Sequence, residues 1–296
     1  ILEQQGLNVG GISPMNTENR LIAPAYFIPD PWTKTSSDGS FWSELLTQAI
    51  SQVVNDNAQS KIKAKSYFML ILGLLRFAKF CHYGLYLKLA LNSAKGSWRK
   101  ALFLDLLLHD VHLRLFASRK PQFSTLFLNA AAHIQHHYFF NSLPIKEKID
   151  LRNPAWYLSE IDDPFGDMLT VYDDIVGEYL TLKDTEVIIV TGLSQKPYDR
   201  IKYYYRLKDH GDFLKKIEIQ YRNVIPRMTR DFLIEFDSSN HAIVAQDKLR
   251  KLVVESDGEQ FFADIDNRGD SLFVTLTYPY EINDETMLVA DGIRVK

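Results

Sequence analysis

An α/β fold with a mostly parallel sheet follows from three features of the sequence. Through the middle of the chain the patterns run strand, helix, strand: "FSTLFLNAAA" (123–132), "DPFGDMLTVYDDIVGEYLTL" (163–182) and "TEVIIVTGL" (185–193). Strands that alternate with helical spans build parallel sheets with helices on their faces. An almost wholly helical stretch (41–118) interrupts this order, and a separate strand-helix-strand run closes the chain.

The opening "ILEQQGLNVGGI" reads as a helix end, a Gly stop and a short strand, a start in mid-domain that makes further residues upstream an expectation. "APAYFIPDPW" carries three prolines and is expected to be extended and irregular. "FWSELLTQAISQVV", "SYFMLILGLLRFAKF" and "WRKALFLDLLLHDVHLRLF" each space apolar residues three and four apart, as helices do. The second of these, Ser66 to Phe80, is too short and too closely flanked by Lys and Arg to span a bilayer. It reads as a buried helix rather than one lying on a membrane surface. "TEVIIVTGL" is the clearest buried strand, continuous and β-branched with a Gly end. Near the C-terminus, "RDFLIEFDS", "NHAIVAQDKLRKLVV" and "SLFVTLTYPY" give strand, helix and strand, with a Gly-marked turn at "DNRGD". The expected division is an α/β core (1–45 and 119–223), a helical insert (46–118) and a C-terminal α+β unit (224–296).

Composition narrows the classes of function. The 296 residues are 46% hydrophobic, enough for a full core, and 34 Lys and Arg against 37 Asp and Glu leave a net charge of -3. No overall basic excess marks a nucleic-acid binder. The one cysteine, Cys81, forms no internal disulfide, which fits a reducing, cytoplasmic location. Its apolar, aromatic surroundings read as those of a buried, inert thiol. No signal peptide, Gly-rich phosphate loop, CxxC pair or GxSxG elbow is visible.

Ligands of open parallel sheets gather outside the carboxyl ends of the strands. "NAAAHIQHHYFF" (129–140) places His133, His136 and His137 after one such strand. On a helical turn, His133 converges with His136 or His137 on one ion, although a further ligand must come from elsewhere. The same histidines also suit the capping and hydrogen bonding of a turn. Asp105, His109 and His112 share a helix face at i, i+4 and i+7, a metal-binding spacing, but their Leu-rich surroundings read as an amphipathic helix with a solvated polar stripe. His210 lies in a His-Gly turn, "KDHGDF", which aims an imidazole into a cleft or simply lies on the surface. "IKYYYRLK" has the composition for base stacking, but reads better as an alternating strand or edge.

"FSTLFLNAAAHIQHHYFF" followed by "YDDIVGEYLTLKDTEVIIVTGLSQ" resembles the type I phosphodiesterase/nucleotide pyrophosphatase branch of the alkaline phosphatase superfamily. "QQGLNVGGISPMN…FIPD" is similar to the segment that follows the nucleophile there. The resemblance implies a three-layer α/β sandwich and two-metal chemistry, usually with zinc, through a covalent phospho-enzyme on Thr or Ser. Gln135-His136 matches the Gln-His of that branch and would make His136 a metal ligand. Ala132 stands where an Asp is expected, so His133 or His137 would replace it, and His210-Gly211 matches a late His-Gly ligand. The second metal's Asp-His pair would fall on Gly192 and Leu193, which cannot ligate through their side chains. The implied protein is a divergent phosphoesterase-like hydrolase of phosphate or sulfate esters, small or glycan-linked, with one His-rich zinc site. Gln135, Thr191 and Gln195 would line the substrate pocket. The alternative is a catalytically inactive member that serves as a binding or assembly protein. Neither expectation includes nucleic acid or an integral membrane segment.

Overall fold

The computed structural model describes residues 1–56, 64–192, 194–201, 203–227 and 230–296. It forms two compact units, Ile1–Val53 with Ile62–Ile201, and Val54–Lys61 with Lys202–Lys296.

The first unit holds a three-stranded parallel sheet in the order β2-β1-β3, made of β1 (Val9–Ile12), β2 (Tyr26–Ile28) and β3 (Phe123–Leu126). A short 3-10 turn (Glu3–Gln5) ends at Gly6, whose φ of 81° needs glycine, and the chain then enters β1. Gly10 pairs with Tyr26, and a Cβ on Gly10 would lie 2.5 Å from the tyrosine ring. The "APAYFIPDPW" segment is not irregular throughout: its centre is the fully buried β2. Pro24 and Pro29 lie just outside the paired residues, so no ladder donor is lost.

Four helices follow: α1 (Phe41–Asp56), α2 (Ala64–Phe77), α3 (Tyr83–Asn92) and α4 (Trp98–Arg119). They are no separate insert. α4 packs on β1 and β3, on α2 and α3, and on two later helices, α5 (Ala130–Tyr138) and α7 (Pro164–Leu180), between which lies the short α6 (Leu143–Lys146). Asp163 caps α7 by accepting from the Gly166 amide at 3.0 Å. α2 is only half buried: Met69, Gly73 and Phe77 face inward, but Phe68, Ile71 and Leu75 are exposed. The expected strand at 123–132 stops at Leu126, because the chain turns into α5 with its first amides held by Asp105.

The largest departure is "TEVIIVTGL". Its described residues form no strand, and Ile188, Ile189 and Val190 are 66–81% exposed; Leu193 lies outside the described residues. A β-branched run favours extended backbone but does not provide the neighbour that a ladder requires.

In the second unit, α8 (His210–Lys216) precedes β4 (Asn223–Pro226), β5 (Asp231–Glu235), α9 (Ser239–Lys251), β6 (Val253–Val254), β7 (Asp264–Asn267), β8 (Ser271–Thr275), β9 (Leu288–Ala290) and β10 (Ile293–Val295). Its sheets, β4-β5-β8-β7 and β10-β9-β6, are antiparallel, so the parallel sheet is confined to the first unit. The expected strands at "RDFLIEFDS" and "SLFVTLTYPY" are the adjacent β5 and β8, and α9 lies between them in sequence. Gly269, at φ 92°, makes the turn in "DNRGD". The unit starts before residue 224 because α8 inserts Phe213 and Leu214, with Ile217 beyond it, among Phe232, Phe262 and Leu272. The fold is thus mixed α/β. Among the described residues no helix is long and apolar enough to cross a membrane.

Gly10→Ala drives a methyl into the Tyr26 ring. It is expected to destabilise the chain by about 1–3 kcal/mol in urea denaturation, and an unchanged midpoint would contradict this packing.

Candidate metal centre on the central helix

α4 is buried on every side between Asp105 and Leu113, including Asp105, His109, Asp110 and His112. A buried polar group without a partner costs about 1–3 kcal/mol, so each of these must be answered by a neighbouring element. Asp105 accepts from Tyr172 Oη of α7 at 2.6 Å and from the Ala130 amide of α5 at 2.8 Å. Asp110 binds His82 Nδ1 at 2.8 Å, Tyr86 Oη at 2.8 Å and the Lys79 amide at 3.0 Å. His112 meets Tyr179 Oη of α7 and Ser124 Oγ of β3, each at 2.7 Å. His109 Nε2 meets Glu178 Oε2 of α7 at 2.5 Å. Asp105, His109 and His112 therefore share a face as their spacing predicts, but each serves a different partner. The stripe is not solvated either, because helices and the sheet surround α4.

The convergence occurs at one member of that stripe, His109, around Glu178. His82, from the 3-10 turn Phe80–His82 before α3, brings Nε2 to 3.5 Å from Glu178 Oε1, and the His82 and His109 rings are 5.9 Å apart. Lys79 Nζ lies 2.8 Å from Glu178 Oε2. His109, Asp110 and Glu178 form one trio of potential ligands, and Cys81, His82 and Glu178 another, each with ligand atoms within 4.8 Å of one another. Both trios are geometrically able to hold a metal ion. Cys81 is exposed rather than buried, and it marks the open side of the cluster.

Electrostatics favour a neutral His109 and an ionised Glu178. Burial lowers the pKa of His109, against the pull of Glu178, and so favours the neutral imidazole. Burial works to raise Glu178, but Lys79 and His109 outweigh it and hold the carboxyl below its usual range. Among the described residues, His109 Nδ1 is buried with no hydrogen-bond partner. Asp110 behind His82 is the carboxylate–histidine arrangement that fixes a ring and its tautomer in metal sites.

The histidines read from the sequence lie elsewhere. On α5, His133 and His137 pack with ring centroids 4.7 Å apart, and His137 Nδ1 meets Tyr157 Oη at 3.0 Å. Burial lowers the pKa of both, His137 to about 3. His136 is exposed, and Gln195 Nε2 lies 3.4 Å from its Nε2 and 3.4 Å from the Ala132 carbonyl. Two residues named separately from the sequence thus meet. Gln135 donates to the Ala131 carbonyl of its own helix, and Thr191 is exposed. Among the described residues, His133, His136 and His137 belong to no ligand trio. His210 lies in the second unit, buried against the Phe232 ring at 4.9 Å; burial lowers its pKa to about 4, and among the described residues its Nε2 has no hydrogen-bond partner. It is a core residue, not a turn histidine. His82 and Glu178 were missed because nothing local marks them: their partners are 28 and 69 residues away.

Searches with the chain found no match among protein-family models, curated proteins or solved structures.

The buried titratable groups predict an acid response. Burial depresses His112 to about 3, so its contribution is present above the unfolded value of 6.5 and is lost as pH falls toward 3. Burial raises Asp105 to about 6, so its contribution runs oppositely, present below 3.8 and lost as pH rises through 6. His137 acts with His112, and stability is expected to fall between about pH 6.5 and 4, by up to about 1.4 kcal/mol per pH unit for each net proton. Urea midpoints across this window should show a shallower fall for His112→Gln and a steeper one for Asp105→Asn. Parallel curves for all three proteins would contradict the assignment.

Proposed function

We propose that the first unit is a divergent metal-dependent hydrolase of phosphate or sulfate esters, a reduced form of the alkaline-phosphatase-like sandwich that works with one zinc ion. The observation that carries this reading is the approach of His82 Nε2 and His109 Nε2 to one carboxylate, Glu178, with Asp110 behind His82. The two imidazoles belong to different potential ligand trios that share Glu178, and a zinc ion drawing both to that carboxylate would have an N/O set that suits it and a position left open. Bound there, zinc would supply a Lewis acid and an activated water. With Nδ1–H of His82 donating to Asp110, Nε2 would keep its lone pair for an ion shared with Glu178. Lys79 keeps Glu178 ionised, and its ammonium now balances the charge that an ion would balance. The zinc expected from the α5 histidines is thus assigned to a different set of residues. The ester chemistry rests on the resemblance, supported by the parallel sheet and by the contact of Gln195 with His136.

One observation favours the second reading, a non-catalytic binding or assembly protein. The carboxylates of Asp110 and Glu178 already have protein donors, so both are satisfied without an ion.

Metal content of the full chain expressed with zinc, measured with turnover of bis(p-nitrophenyl) phosphate and p-nitrophenyl sulfate, separates the two. The hydrolase reading predicts near-stoichiometric zinc, its loss in His82→Ala and His109→Ala, and roughly 10–100-fold weaker metal binding in Asp110→Asn. A zinc-free wild type would overturn it. Bound zinc without turnover of either ester would leave the binding reading.

A further inference from the structure

We propose that the outer faces of α2 and α3 dock the first unit on an anionic lipid surface. Both helices pack on α4; α2 buries Met69, Gly73 and Phe77, the last two against Leu46 and Trp42 of α1, and α3 buries Tyr86 and Leu89. Away from those residues, Phe68, Ile71 and Leu75 on α2 and Leu87 and Leu91 on α3 are 54–70% exposed, and Phe80 between the helices is 93% exposed. Their spacings, i, i+3, i+7 and i, i+4, place each set on one helix face. Exposed apolar residues grouped on a helix face mark an interaction surface rather than ordinary protein exterior.

Charge identifies the partner. No Asp or Glu occurs between Asp56 and Asp105, an interval that carries nine Lys and Arg. Lys65, Arg76, Lys88 and Lys95 are exposed, and among the described residues none has a carboxylate partner. Arg76 also lines a cavity of about 340 Å³ with Arg119, Ser43 and Trp42, and no acidic residue lines it. Among the described residues neither guanidinium has a carboxylate partner, and such a pair suits the phosphate of a lipid headgroup. An exposed apolar face on helices that carry Lys and Arg and no acidic residue of their own is the composition of a helix that lies in the interface of an anionic bilayer. α2 has 14 residues, too few to cross, so the helix lies on the surface.

The test is cosedimentation of the full chain with phosphatidylcholine vesicles, with and without roughly one-third phosphatidylserine. Saturable binding to the anionic vesicles is expected, at least about tenfold tighter than to phosphatidylcholine alone and weakened by salt. The triple variant Lys65→Glu, Arg76→Glu, Lys88→Glu should lose roughly a hundredfold in affinity. The triple variant Ile71→Ser, Leu75→Ser, Leu87→Ser should lose at least about tenfold, and because those side chains are exposed, circular dichroism should show an unchanged fold. Absence of binding to anionic vesicles, or equal binding by the wild type and both variants, overturns the proposal. Zinc content does not enter this readout, so it stands or falls separately from the metal centre.

Discussion

Four titratable side chains buried on one helix constrain the rest of the first unit. Asp105, His109, Asp110 and His112 sit where water cannot reach them, so each stays buried only if a neighbouring element brings a donor or acceptor. α7 answers three of them through Tyr172, Glu178 and Tyr179, and α3 with its preceding turn answers the fourth through Tyr86 and His82. α5 begins where Asp105 receives its amide, and β3 is tied to α4 through Ser124. A shift of α7 by one helical turn would leave several of these groups unmatched. The network thus specifies arrangement more than it adds net stability, since hydrogen bonds gained in folding replace hydrogen bonds to water.

The same network explains what could be read from the chain and what could not. The helices of residues 41–118, the strands β1, β5 and β8, and α9 follow from apolar periodicity, which is local. The burial of α4 does not. A polar residue every third or fourth position looks identical on a solvated face and on a helix whose neighbours supply partners, and only contacts 12 to 69 residues away separate the two. Cys81 illustrates the converse: apolar sequence neighbours suggested burial, but the residue lies on the open side of the Glu178 cluster. In "TEVIIVTGL" and α2, strong apolar patterns likewise met fewer partners than they imply.

Histidines close in sequence and histidines far apart in sequence both meet in this unit. The α5 histidines come within reach of one another and of Gln195, but without a carboxylate at Ala132 they gather no ligand trio. His82, His109 and Glu178 are scattered in sequence and meet because α4 and α7 are held in register by the interactions above. The stretch Ala64–Asn92 contributes twice. Its inward residues supply His82 and Tyr86 to the buried network, and its outward residues form the basic, apolar face.

An anomalous-difference map at the zinc edge, from crystals of the zinc-loaded full chain, tests the central claim most directly. A peak bounded by His82 Nε2, His109 Nε2 and Glu178 is the predicted result. A peak at His133 and His136 instead, or no peak in zinc-loaded crystals, would contradict it.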